Sequence, residues 1–181
     1  MKRISTFVLL ISLALTSIAQ LSGEYFIGVE NQPKKRSFDN VTEAFNTLKF
    51  KGLKDDVTFK IGFNNIDEPL LIQLINNSSN FNITIEPYES NCITVENDAL
   101  SLLIMNANNV TIRNIEFISR TISYSPALLI ENSTNLTLEN CSFKILDDSF
   151  LDSKLKQICS QSQNIKFVLT TFNGIEYAMN F

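Results

Sequence analysis

Asn109-Val-Thr-Ile-Arg-Asn-Ile-Glu-Phe117 and Asn135-Leu-Thr-Leu-Glu-Asn-Cys-Ser-Phe143 are one phrase written twice, 26 residues apart. In each, apolar and polar residues alternate, and an asparagine interrupts the alternation before a second short apolar pair. A period of two belongs to a strand, not a helix. The opening of the phrase recurs as Asp56-Val-Thr-Phe59, Asn82-Ile-Thr-Ile85 and Asn164-Ile-Lys-Phe167, so the five anchors are spaced 26, 27, 26 and 29 residues apart. Upstream, Leu102-Leu-Ile104 matches Leu128-Leu-Ile130, and Gln157-Ile-Cys159 follows more loosely; downstream, Phe172 takes the place of Phe117 and Phe143.

A unit of this length built from short strands cannot bury its own apolar residues, and stacking successive units solves the problem. The spacing predicts three interior columns: Val57, Ile83, Val110, Leu136 and Ile165; Phe59, Ile85, Ile112, Leu138 and Phe167; and Phe117, Phe143 and Phe172. Thr58, Thr84, Thr111 and Thr137 lie between the first two columns and must face outward, because side chains alternate across a strand. The expected fold is therefore all-β, a right-handed parallel β-helix of about five coils. Residues 39–50 read as a helix with Val41, Ala44, Phe45 and Leu48 on one face, Asn40 and Glu43 as a capping pair and Gly52 as the stop. Such a helix would cap the front end of the solenoid, giving an N-terminal strand and capping helix over residues 20–55 and coils over 56–181. Nine residues follow Phe172, ending in the apolar Tyr177-Ala-Met-Asn-Phe181. With no polar cap there, the chain reads as a C-terminally truncated solenoid, or one whose last edge contacts a partner.

Asn114 and Asn140 occupy equivalent turn sites, where asparagine tolerates a left-handed backbone and can bond to its copy in the next coil. The Asn-X-Thr triplets at Asn82, Asn109 and Asn135 are by-products of the repeat rather than glycosylation signals. Of the three cysteines, Cys141 stands where Ile115 stands, and Cys159 where Ile104 and Ile130 stand, so both read as small buried hydrophobes. With Cys92 the count is odd, the chain has no histidine, and the fold does not depend on disulfides or on a zinc site.

Lys2 and Arg3, the apolar residues 7–15 and the small Ser17-Ile-Ala19 lay out a secretory signal peptide over residues 1–19. The apolar run is shorter than a bilayer span; a retained N-terminal anchor is the competing interpretation. Without that segment 13 basic residues face 19 acidic ones, a net charge of −6. Such a balance disfavours nucleic acid as a partner, and an anionic polysaccharide would need calcium or a local basic patch. A secreted or cell-surface protein with no membrane span after cleavage is expected.

The stretch Leu21-Ser-Gly-Glu-Tyr-Phe-Ile-Gly28, then Phe38, Thr42-Glu-Ala-Phe45, Gly52-Leu53 and Val57-Thr-Phe-Lys-Ile61, resembles the pectin-lyase-like group of bacterial secreted right-handed parallel β-helix proteins. The resemblance implies fold and export. For activity it implies little, because lyases, hydrolases, adhesins and non-enzymes share that scaffold. A hydrolase of this kind would use paired carboxylates, for which Asp147 and Asp148, with Asp152 nearby, are the candidates; they also read as a solvated loop. The related hydrolases carry a histidine motif that this chain lacks. A lyase would use an Arg or Lys base beside calcium-holding carboxylates, for which Arg113 and Glu139 are the candidates; they also read as a surface ion pair between neighbouring coils, as do Glu116 and Arg120. Tyr88, Tyr124 and Tyr177 do not share a repeat position and define no sugar-binding track. The leading expectation is an exported, non-catalytic module with a structural or carbohydrate-binding role and no cofactor. The alternative is the N-terminal fragment of a polysaccharide lyase or glycoside hydrolase.

Overall fold

A computed structural model describes residues 20–74, 80–89, 91–98, 100–120, 128–145, 158–160 and 162–173. The signal-like segment 1–19, Asp147, Asp148, Asp152, Tyr124, Tyr177 and the C-terminal end from residue 174 lie outside the described residues. The elements in order are β1 (Leu21–Ile27), a 3-10 turn (Lys34–Arg36), β2 (Ser37–Phe38), α1 (Val41–Lys51), β3 (Leu53–Ile61), β4 (Asn65–Ile66) and β5 (Leu70–Gln73). Then come β6 (Ile83–Pro87), β7 (Ile93–Asn97), β8 (Leu102–Met105), β9 (Asn108–Arg113), β10 (Ile115–Ser119) and β11 (Leu128–Glu131). The described part closes with β12 (Thr134–Glu139), β13 (Ser142–Ile145), β14 (Ile158–Ser160), β15 (Gln163–Val168) and β16 (Thr171–Asn173).

These strands form a parallel β-solenoid, with one α-helix among the described residues. From β3 onward every third strand pairs with its predecessor, and β1 and β2 extend the first sheet at the front: that sheet runs β15-β12-β9-β6-β3-β1-β2, the second β16-β13-β10-β7-β4 and the third β14-β11-β8-β5. All described pairings are parallel, and the registers follow the repeat. Val57, Ile83, Val110, Leu136 and Ile165 are register partners in turn, as are Phe59, Ile85, Ile112, Leu138 and Phe167. From Val57 to Leu136 and from Phe59 to Leu138 these side chains are buried. The third column is a stack of rings: Phe117 and Phe143 lie 4.8 Å apart and 11° from parallel, Phe143 and Phe172 5.1 Å and 8°. Ile66 and Val95 extend that column towards the front. Thr58, Thr84, Thr111 and Thr137 form a half-exposed row on the outer face.

Asparagines build the corners. Asn106, Asn109, Asn114, Asn132, Asn135, Asn140 and Asn164 all have φ between 46° and 57°. Their amides stack from one turn to the next: Asn132 Nδ2 donates to Asn106 Oδ1 at 2.7 Å, Asn135 to Asn109 at 2.9 Å, Asn164 to Asn135 at 2.7 Å and Asn140 to Asn114 at 2.7 Å. Left-handed backbone makes the bend, and the side chain then satisfies its copy above. This explains why Asn109 and Asn135 head each repeat, a position whose backbone strain the sequence did not disclose. Cys141 is buried behind the same corner as Ile115. Cys159 is the register partner of Ile130.

The front end is closed twice. In α1, Asn40 Oδ1 accepts from Glu43 N at 2.8 Å while Glu43 Oε2 accepts from Asp39 N at 3.0 Å, and Gly52, at φ 67°, donates back to Leu48 O at 2.9 Å. Val41, Ala44, Phe45 and Leu48 are buried on the core, with the Phe45 ring edge-on to Phe59 at 5.5 Å. Strand β3 begins at Leu53, three residues before the repeat anchor Asp56, because Leu53 is buried and pairs with Leu21. Beyond β1, Arg36 Nη1 donates to Ser22 O at 3.1 Å and Glu24 O at 3.0 Å, occupying edge carbonyls that β2 does not reach.

Candidate functional site

The sequence-predicted pair Arg113 and Glu139 meets on the outer face of the first sheet, as members of a longer row. Lys60, Glu86, Arg113 and Glu139 succeed one another across β3, β6, β9 and β12, alternating in sign. Lys60 Nζ reaches Glu86 Oε1 at 2.5 Å, Arg113 Nη1 reaches Glu86 Oε2 at 3.5 Å, and Arg113 Nε donates to Glu139 Oε2 at 2.8 Å. The Arg113 pKa is raised above its ordinary value by the Glu139 hydrogen bond, against a smaller lowering from burial, and Glu86 adds to the rise. A general base needs the opposite: a cation whose proton is easily lost. The row is thus a cross-strand charge ladder, and each partly exposed pair contributes about 0–1 kcal/mol.

Glu116 and Arg120 are also engaged, but not with each other. Glu116 pairs with Lys144 one turn on, and Arg120 Nε donates to Glu96 Oε1 at 2.9 Å. The Arg120 hydrogen bond holds the Glu96 carboxyl below its ordinary range. The glycosylation triplets are occupied as well: Asn109 and Asn135 belong to an amide ladder, and Asn82 Nδ2 donates to Asp56 Oδ2 at 3.1 Å.

A concave site lies elsewhere, at the corner where the first sheet passes into the second. In the later turns this corner is tight: Asn114 alone separates β9 from β10, and residues 140–141 separate β12 from β13. In the first turns the same corner is longer, with residues 62–64 between β3 and β4 and residues 88–92 between β6 and β7. The extra chain opens a cleft of about 440 Å³ bounded by residues 28–30, 61–64, 87–89, Asn91 and Ile93. Its volume falls within the range of small-molecule sites.

The cleft is held open by particular contacts. Gly28 has φ 65°, and a Cβ there would stand 2.1 Å from Phe63 Cζ, so only glycine lets the Phe63 ring lie against that backbone. The Tyr88 amide donates to Ile61 O at 2.7 Å, and its ring meets Phe26 edge-on at 5.7 Å, which leaves Tyr88 oriented and 42% exposed. Glu30, Glu89, Asn64 and Asn91 supply the polar lining. Tyr88 has no repeat partner; the signal in the sequence is the spacing between register-equivalent core positions, seven residues from Phe59 to Ile66 and ten from Ile85 to Val95, against five from Ile112 to Phe117, Leu138 to Phe143 and Phe167 to Phe172.

Among the described residues no helix is long and apolar enough to cross a membrane, and no grouping of three or more metal-ligating side chains occurs. No family model, curated protein or solved structure matches the chain.

Proposed function

We propose that this chain is an exported, non-catalytic binding module of the pectin-lyase-like type, a right-handed parallel β-helix of about five coils that works at the cell surface or outside the cell. Export rests on the signal-like residues 1–19, and the coil number on the five anchors from Asp56 to Asn164. The observation that carries the non-catalytic reading is Arg113 held between Glu86 and Glu139. The side chain that the family resemblance nominates as a lyase base instead links adjacent turns. Carbohydrate is the partner class the reading favours, since extracellular solenoids offer long rigid faces and corners on which a polymer can lie.

The test is incubation of the purified chain with a panel of neutral and acidic polysaccharides, with and without calcium, recording both retention and chain cleavage. Retention without cleavage is the expected result. Cleavage of a uronate polymer, abolished by Arg113→Ala, would overturn the reading.

A further inference from the structure

We infer that the corner cleft between Gly28, Phe63 and Tyr88 is the binding site, and that its ligand is a non-acidic oligosaccharide; this rests on the reading of the chain as a binding module. Three observations converge on it. The corner is widened only in the first turns, and in solenoids such departures from the repeat sit on the face that binds. An oriented, partly exposed tyrosine stands at its wall, where the apolar face of a sugar ring can stack. The polar lining is Glu30, Glu89, Asn64 and Asn91, with no lysine or arginine among the lining residues.

That lining selects among ligands. Two carboxylates and no cation repel a uronate, so an acidic sugar is disfavoured by like charge. Carboxylates only accept hydrogen bonds, whereas the two asparagine amides both donate and accept. A polyol uses both kinds of partner, and an amino sugar keeps hydroxyl acceptors for the amides while its ammonium group meets the carboxylates. A non-acidic sugar therefore satisfies more of the cleft than a uronate. Gly28 and the edge contact with Phe26 fix the two rings before binding, so little ordering is required when the ligand arrives.

The experiment is calorimetric titration of the full exported chain with three oligosaccharide sets: neutral hexose oligomers, oligogalacturonate with calcium, and de-acetylated amino-sugar oligomers. Tyr88→Ala, Tyr88→Phe, Asn64→Ala and the remote control Thr137→Ala are compared, with thermal melts to confirm folding. Binding of the neutral or the amino-sugar set is expected, weakened about tenfold by Tyr88→Ala, the loss of one stacking contact. Tyr88→Phe should keep most of the affinity, Asn64→Ala should weaken it, and Thr137→Ala should leave it unchanged. Preference for the uronate set, or failure of every set to bind, overturns the inference. Binding that Tyr88→Ala leaves intact overturns it too while sparing the module reading, which only polymer cleavage defeats. If Tyr88→Ala fails to fold, Asn64→Ala still decides the matter, because a site elsewhere would not respond to it.

Discussion

Asn140 donates its side-chain amide to Asn114 Oδ1 at 2.7 Å, and the next position in that corner column is Leu169, which has no amide to continue it. Leu169 sits at φ 50° with 79% of its surface exposed, immediately after Val168, whose carbonyl accepts from Asn140 N at 2.8 Å. Left-handed backbone costs an ordinary side chain about 1–2 kcal/mol, and asparagine tolerates it better. Leu169→Asn should therefore stabilise the chain by about 1 kcal/mol and raise Tm by about 2–4 °C. Thermal denaturation followed by circular dichroism checks this; a lower Tm would mean that the corner ladder ends before Leu169.

The ring stack predicts a strong dependence on its middle member. Phe143 is fully buried between Phe117 and Phe172. Phe143→Ala removes both stacking contacts and leaves a cavity, at a cost of about 3–5 kcal/mol. Thr137→Ala, on the outer face, should stay within about 0.5 kcal/mol of the parent. Urea denaturation of the two variants should separate them clearly.

Acid should weaken the front of the solenoid through Asp56. Its carboxylate accepts from the backbone amide of Asn82 at 2.7 Å and from the Asn82 side chain at 3.1 Å. The backbone hydrogen bond, then the side-chain one, holds its pKa below the ordinary 3.8. A depressed folded-state pKa means that the unfolded chain binds the proton more readily. The contribution is thus complete above pH 3.8 and is lost as pH falls from there through the folded value. Asp56→Asn should flatten that limb of the stability profile without altering the neutral plateau by more than a surface contact is worth.

Thiol chemistry should distinguish two cysteines. Burial pushes the Cys141 thiol up to about 11, and the thiol lies within the core behind the Asn114–Asn140 corner. Cys92 is exposed, although partial burial and nearby Glu116 also raise its pKa. Alkylation at pH 8 followed by peptide mapping should label Cys92 first and leave Cys141 unmodified until the chain is unfolded. Equal rates at the two sites would contradict the placement of Cys141.

The scaffold was legible because its energetics are periodic. Val110 and Leu136, or Ile112 and Leu138, are chosen by the same requirement in consecutive turns, so spacing alone pairs them correctly. The α1 caps were equally legible, since Asn40, Glu43 and Gly52 act through local geometry. Arg113 and Glu139 were placed side by side, but the extension of their row to Glu86 and Lys60 was not seen, because those outward positions carry no apolar pattern to align. The lining of the cleft was not legible for the same reason in sharper form. Residues 62–64 and 88–92 are where the repeat is interrupted, and Phe63 and Tyr88 have no counterparts from which a position could be inferred. Asp147, Asp148 and Asp152 lie outside the described residues.

The in-register stacking of successive turns is tested most directly by methyl nuclear Overhauser spectroscopy on isoleucine- and leucine-labelled protein. Ile112 lies between Ile85 on one side and Leu138 on the other, in parallel register with both. Cross-peaks from the Ile112 methyls to both neighbours, with no strong Hα–Hα contacts between β9 and β12, are the predicted result. Absence of the Ile112–Leu138 contact in a folded sample, or Hα–Hα contacts typical of antiparallel pairing, would contradict the solenoid.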